Sequence, residues 1–388
     1  MDAIDLVAGS AVANRVRDRR VRVTRTVRVG GPGTDMLAAL RDALAGGPAL
    51  FVSADPRARP PERVEQRVAL VVETSGSTGR PKRVMLAADA LLAGAAASES
   101  ALGGPGQWVL ALPTHYIAGL NVLARSISAG IDPVPVAGDH FTAAGFVEAA
   151  ARLSIPERYT ALVPAQLATL LEDPAAVEAL RGFRAVLIGG QAAPPALRKR
   201  ASDAGVRIVR SYGSSETSGG CVYDGSPIGQ TTVRIVDGEV WLHGPTLAIG
   251  YLDDAELTAR RFRDLDGLRW FATGDAGEWD GELLRVTGRL DDVLISGGVK
   301  VSPAAVERVL HDQPGFEDAV VVAADDARWG QIPVAFTTGT GDAPAAIEAV
   351  GDRLGAPARP GRVIRLDSLP LLPSGKVDRL ALSRLAAE

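Results

Sequence analysis

The spacing of apolar and polar residues changes character along the chain. In "VRDRRVRVTRTVRVG" valines fall at 21, 23, 27 and 29, with arginine or threonine between them. This period of two predicts a half-exposed strand whose arginines form a solvated face. "VALVV" (68–72) is a short run rich in β-branched residues and predicts a buried strand leading into a glycine-rich loop. Beyond that loop, "ADALLAGAAASESAL" predicts a helix with Asp89 near its start and Gly103 just past its end. Strand-like runs recur at "WVLAL" (108–112), "YTALV" (159–163) and "RAVLIGG" (184–190), interleaved with helical stretches such as "AAGFVEAAARL" and "PPALRKRASDAG". That alternation predicts an α/β domain with mostly parallel sheets.

From about Asp224 the pattern shifts to short strands and turns, as in "TVRIVDGEVWLHGP" and "GEWDGELLRVTGR". In "GRLDDVLISGGVKVSPAAVERVL", Ser302 is placed to cap a helix that starts at Pro303, with Ala304 to Leu310 supplying the helical pattern. The last stretch, "LPLLPSGKVDRLAL", sets Lys376 in a Pro-Ser-Gly loop ahead of a final helix. The chain of 388 residues therefore divides into a large N-terminal α/β domain, 1–290, and a small α+β domain, 291–388.

Composition narrows the chemistry. A net charge of −4 gives no general attraction to nucleic acid. The single cysteine, Cys221, excludes an internal disulfide and a thiolate zinc cluster, and the four histidines show no metal-ligand spacing. No apolar run is long enough to span a bilayer, and the N-terminus is unlike a signal peptide. A cytoplasmic protein with no membrane partner is the expectation; a homo-oligomer is compatible with the sequence. Of 42 lysine and arginine residues only Lys82, Lys199, Lys300 and Lys376 are lysine. Lys199 lies in "RKR" on a predicted helix face and needs no special account. The other three sit near glycine or proline in loop-like stretches, where a lysine surviving such a bias suits a place that wants a compact ammonium rather than a planar guanidinium.

The loop after "VALVV" reads "ETSGSTGRPKRV". It is not a Walker loop, because Pro81 precedes Lys82 and no hydroxyl residue follows it. Gly76 and Gly79 let backbone amides turn toward an anion, Ser75, Ser77 and Thr78 add hydroxyls, and Lys82 adds charge. A phosphate clamp is the reading of this density of groups.

"TSGSTGRPK" resembles the signature loop of the acyl-adenylate-forming superfamily, which comprises acyl- and aryl-CoA ligases, peptide-synthetase adenylation domains and firefly-type luciferases. "SYGSSET" (211–217), "TGD" (273–275), "GRLDDVLISGGVKV" and "PSGKVDR" are similar to its later blocks, in the same order. The resemblance implies a large N-terminal and a small mobile C-terminal domain, and an ATP- and magnesium-dependent reaction in which a carboxylate attacks the α-phosphorus to give an acyl-AMP. It implies that Thr74, Ser75, Gly76, Ser77, Thr78, Gly79 and Lys82 hold the departing phosphates. By the same likeness Glu216 carries magnesium, Ser215 or Thr217 touches phosphate, and Asp275 and Arg289 bind the ribose. Tyr212 would stack on adenine, with Gly189, Gly190, Gln191, Ser211 and Gly213 around it. Lys376 would bridge the carboxylate and the α-phosphate. Asp291 would be the hinge, and Gly297, Gly298 and Lys300 would line a tunnel for the thiol of CoA.

For the acid, "LPTHYIAGLNVLARSI" (112–127) most resembles the o-succinylbenzoate–CoA ligases (MenE-type). On that likeness His115 and Gly119 line the pocket, and Arg125 receives a second carboxylate of an aromatic substrate. Open alternatives are another aryl- or acyl-CoA ligase, a free-standing adenylation enzyme that loads a carrier protein, and a non-catalytic nucleotide-binding protein.

Overall fold

The computed structural model describes residues 23–31, 34–74, 81–138, 140–372 and 375–387. Four sheets organise them. In the first, Thr24–Gly30, Ala49–Val52 and Val68–Thr74 pair in parallel, in that order. Arg63–Glu65 and Lys82–Ala87 add antiparallel strands on either side, and Gly250–Tyr251 returns from far along the chain to pair with Lys82–Ala87. The second sheet runs parallel through Val134–Pro135, Gln107–Leu110, Arg158–Leu162, Ala185–Ile188 and Ile208–Ser214, then turns antiparallel at Gly219–Tyr223 and Ser226–Pro227. The expected parallel pairing thus dominates the second sheet and the centre of the first. Hairpin connections make the third sheet, built on the long strand Leu268–Trp279, wholly antiparallel.

Two helices fill the space between the first and second sheets. Ala88–Leu102 and Ile117–Ala129 contribute Leu91, Leu120 and Leu123 to the core under the first sheet, and Leu102 and Val122 to the core under the second. The residues from Gly119 to Ser126 are all buried, so this helix has almost no solvent face. Polar side chains on it must therefore find partners inside the protein or in a ligand. The first of the two helices ends as its pattern predicts, with Gly103 in the left-handed region at φ 93°.

The fourth sheet lies entirely after Leu294. Gly330–Thr337 sits at its centre between Val320–Asp326 and Leu294–Ser296, with Arg362–Arg365 also pairing to it in parallel. Helices Pro303–His311, Ala343–Leu354 and Arg379–Ala387 cover it, and Phe316, Phe336 and Leu382 are fully buried there. Ser302 accepts from the Ala305 amide, as expected of a cap. No described helix is long and apolar enough to cross a membrane.

One expectation is reversed. The arginines of Thr24–Gly30 do not all form a solvated face: Arg25 is buried and donates from Nη2 to the Ala43 carbonyl at 3.0 Å, while Val29 is 52% exposed. The helix Met36–Leu44 lies across this strand, and its Ala43 carbonyl, which also accepts from the Gly46 amide, takes from Arg25 a second donor that valine could not supply. Arg28, by contrast, is exposed and pairs with Asp42.

Backbone crowding also shapes the second sheet. A Cβ on Gly213 would overlap the carbonyl of Gly219 on the neighbouring strand. Gly213→Ala therefore forces the two strands apart, at a cost of about 1–3 kcal/mol typical of overpacking. A lower urea midpoint is the expected outcome, and an unchanged midpoint would contradict the close approach.

Candidate active site

A pocket forms where the first three sheets meet. Lys82 reaches it from the first sheet, Tyr212, Gly213, Ser214 and Glu216 from the end of the second, and Thr273, Asp275 and Arg289 from the third. These residues are up to about two hundred positions apart in sequence, and it is the strand order that collects them. Thr74 pairs with Lys82 at the base of the loop between them. Ser75, Gly76, Ser77, Thr78 and Gly79 lie outside the described residues.

Asp275 is the electrostatic centre of one wall. The Tyr212 hydroxyl donates to Oδ2 at 2.6 Å, and Arg289 Nη1 donates to Oδ1 at 3.1 Å. Burial nevertheless pushes the Asp275 carboxyl above the usual range, against the pull of these two donors. Burial, reinforced by Asp275, raises the Tyr212 hydroxyl well above its ordinary value, so it stays a donor. Arg289 also grips Asp291 with both Nε and Nη2 at 2.8 Å. That fork raises the Arg289 value and holds the Asp291 carboxyl below the usual range. Asp275, Arg289 and Asp291 therefore form one chain of charge that runs from the pocket to the junction with the fourth sheet.

On the opposite wall, the Tyr251 hydroxyl donates to Glu216 Oε1 at 2.8 Å. Tyr251 was not singled out from the sequence, although its Gly-Tyr pair before an Asp-Asp turn is a visible signal. Arg261 also lines the pocket, and nothing distinguishes it from the many other arginines of the chain. Thr217 faces elsewhere than expected. Its hydroxyl donates to the Gly219 carbonyl at 2.7 Å and accepts from the Ser214 amide, because the tight turn Ser215–Thr217 needs a cap. Ser215 is buried in the same turn and is not among the residues lining the pocket.

Lys376 arrives from the far end of the chain. A Cβ on Gly190 would lie 3.0 Å from its Cε, and the neighbouring Val377 amide donates to Gln191 Oε1 at 3.3 Å. Gly190 has φ 86°, so this contact needs glycine both for backbone conformation and for space. Gly189 packs against Ser211. Gly190 and Gln191, expected around adenine, thus also meet the Lys376 loop. Burial draws the Lys376 ammonium below its ordinary value. A groove of about 650 Å³ opens beside it, between Leu112, Pro113 and Gln166 on one side and Leu371, Leu372 and Gly375 on the other.

Of the residues expected at the acid, Arg125 is buried and Gly119 is pressed on the Pro113 carbonyl, which explains why no side chain stands there. His115 leads into the same helix; its Nε2 is buried without a partner among the described residues, and burial keeps the ring neutral. Gly297, Gly298 and Lys300 are not at this site. Both glycines have positive φ in a two-residue hairpin turn, Gly297 sits against the Trp329 ring, and Lys300 is exposed on the following strand.

Comparison with known proteins agrees with this arrangement. A probable 2-succinylbenzoate–CoA ligase of Mycobacterium tuberculosis is 43% identical over 83% of this chain and 86% of its own length. An indoleacetate–CoA ligase of Aromatoleum aromaticum is 30% identical over 86% of this chain and 70% of its own. Among solved structures, the o-succinylbenzoate CoA synthetase of Bacillus subtilis, in complex with the acyl-adenylate intermediate, superposes with a TM-score of 0.69 at 27% identity, over 89% of this chain and 80% of that one. Residues 11–252 match the AMP-binding enzyme family and residues 305–376 its C-terminal domain. With those matches laid over a pocket built from the ends of three sheets and a lysine delivered from the tail, the chain belongs to the AMP-binding enzyme family.

Proposed function

We propose that this protein is a 2-succinylbenzoate–CoA ligase, which activates one carboxylate of its substrate with ATP and then transfers the acyl group to CoA. The observation that carries the substrate is Arg125: a guanidinium inside the protein that makes no ion pair among the described residues. A buried cation is costly without a counter-ion, so a carboxylate delivered by the substrate is the natural partner. The name of the Mycobacterium tuberculosis relative supports the same acid.

In this reading the ribose hydroxyls take over the Asp275 oxygen that Tyr212 now occupies, and the freed Tyr212 ring lies against the base. Arg289 holds the other Asp275 oxygen throughout. Lys82, with the loop before it, neutralises the outer phosphates. Magnesium fits the donor set. No group of three or more acidic, histidine or cysteine residues that could hold a metal ion exists among the described residues, and Glu216, with one oxygen bonded to Tyr251, offers a lone carboxylate of the kind that suits an ion arriving on phosphates. When bound there, magnesium would supply charge neutralisation at the phosphates.

Lys376 stabilises the meeting of two anions, the acid and the α-phosphate. The seat of the Lys376 loop on Gly190 and Gln191 supports an arrangement suited to this first step. For the second step, the domain from Asp291 onward would swing about that residue and bring the Gly297–Gly298 hairpin and Lys300 toward the site, with Lys376 leaving. Release of the Arg289–Asp291 fork accompanies that motion.

A panel of carboxylic acids assayed for AMP formation with CoA tests the assignment. 2-Succinylbenzoate is the expected substrate, and Arg125→Ala raises its KM roughly 10–100-fold, as loss of a charged hydrogen-bonded contact of about 1.5–3 kcal/mol requires. If indoleacetate or a simple benzoate is used and 2-succinylbenzoate is not, the assignment fails. Lys376→Ala lowers carboxylate-dependent pyrophosphate release about 10²–10³-fold while CoA attack on supplied acyl-AMP persists; equal loss of both steps would refute the division of labour. Lys376 also sets a proton linkage. A depressed value penalises the docked, protonated loop below that value, and the penalty lifts as pH rises toward the ordinary 10.5. An anion beside the ammonium restores the proton. Binding of an acyl-adenylate analogue is therefore accompanied by proton uptake that grows as the pH rises from neutrality toward the ordinary lysine value. Calorimetry in buffers of different ionisation enthalpy reads this uptake, which disappears in Lys376→Met.

A further inference from the structure

Arg125 does not stand alone in the core. Its guanidinium lies over the ring of Trp108, 4.8 Å from the centroid, and its Nη2 donates to the Tyr223 hydroxyl at 3.2 Å. The Tyr223 hydroxyl in turn pairs with Ser98 Oγ at 2.8 Å. These four side chains come from four different elements: Ser98 from the helix Ala88–Leu102, Trp108 and Tyr223 from opposite parts of the second sheet, and Arg125 from the buried helix. Ser98 is fully buried, and Trp108, Tyr223 and Arg125 are each less than a tenth exposed. Arg125 Nε is left without a partner among the described residues.

The chemistry of the hydroxyl explains the arrangement. Arg125 can only donate, so Tyr223 must accept from it and is then free to donate to Ser98. One edge of the guanidinium is pinned by this bond, and one face is covered by indole, which tolerates a cation against its π-system. What remains unpaired is directed by those two constraints and not by solvent. A long arginine side chain would otherwise have several rotamers to choose from, and fixing it before the ligand arrives removes that entropy from binding.

We infer that Tyr223, held by Ser98, is a positioning residue that aims Arg125 and thereby sets the preference for an acid with a second carboxylate. The inference rests on the proposed role of Arg125. Tyr223→Phe keeps the ring and its packing but strands two polar groups, Arg125 Nη2 and Ser98 Oγ. The double variant Ser98→Ala/Tyr223→Phe removes the second of these, so a folding defect and a positioning defect separate.

The experiment measures kcat and KM of the full-length variants for 2-succinylbenzoate and for whichever of its monoacid analogues, each lacking one carboxylate, is turned over. Tyr223→Phe and the double variant are expected to lower the preference for the dicarboxylate, as the ratio of the two KM values, about 10-fold, with the change lying in KM; Arg125→Ala abolishes the preference. If Arg125→Ala abolishes it but both Tyr223 variants affect the two acids alike, Tyr223 is merely structural and the inference falls while the role of Arg125 stands. If Arg125→Ala leaves the preference intact, the role of Arg125 falls and the inference with it. Failure of Tyr223→Phe to fold while the double variant folds and keeps the wild-type preference also overturns the inference.

Discussion

The seating of one ammonium against a glycine governs the rest of this structure. Lys376 lies on the fourth sheet's side of the molecule, yet its Cε touches Gly190 at the end of a strand in the second sheet. Burying an ammonium is unfavourable unless an anion waits for it, and burial here already weakens its hold on the proton. In the proposed function the contact is therefore poised: tolerable in the free protein, and favourable once negative charge enters between the two parts. A larger residue at Gly190 would keep the ammonium out, and an arginine at 376 would bring a planar fork into a gap shaped for a compact cation.

Around that contact the charges are arranged in relay. Asp275 holds Tyr212 and Arg289, and Arg289 holds Asp291, so the wall of the pocket and the start of the C-terminal part share one guanidinium. If the proposed ribose binding and hinge hold, occupancy at Asp275 and the position of Asp291 are linked through a single side chain, with no long pathway required. The buried helix Ile117–Ala129 does comparable work on the acid's side. With no solvent face, it presents Arg125 to the interior, where Trp108 and Tyr223 give the guanidinium a floor and an anchor. In the proposed reading, the same lack of solvent lets an incoming carboxylate be recognised strongly, because no water competes for the fork.

Local pattern made much of this legible. The helix Ala88–Leu102 with Gly103 after it, the helix at Pro303 with its Ser302 cap, and the strands leading to Thr74 and Ile188 follow from periodicity and from capping chemistry that act within a few residues. The blocks around Lys82, Tyr212–Glu216, Asp275–Arg289 and Lys376 were likewise visible, because each carries its glycines and charges in a short run. Arg25 shows where such reading stops. Alternation puts it on a polar face, but the helix Met36–Leu44 covers that face and offers it a carbonyl.

By itself, then, the sequence determined the elements, the order of the motifs and the kinds of chemistry they carry, since these depend on neighbours in the chain. Only the tertiary structure decided which motifs face one another. It turned Thr217 into its own turn, gave Gly190 and Gln191 to the Lys376 loop, brought Tyr251 to Glu216, and set Tyr223 behind Arg125. Those pairings join residues up to nearly two hundred positions apart. They are fixed by strand order and by which faces the cores bury, and no local spacing encodes either.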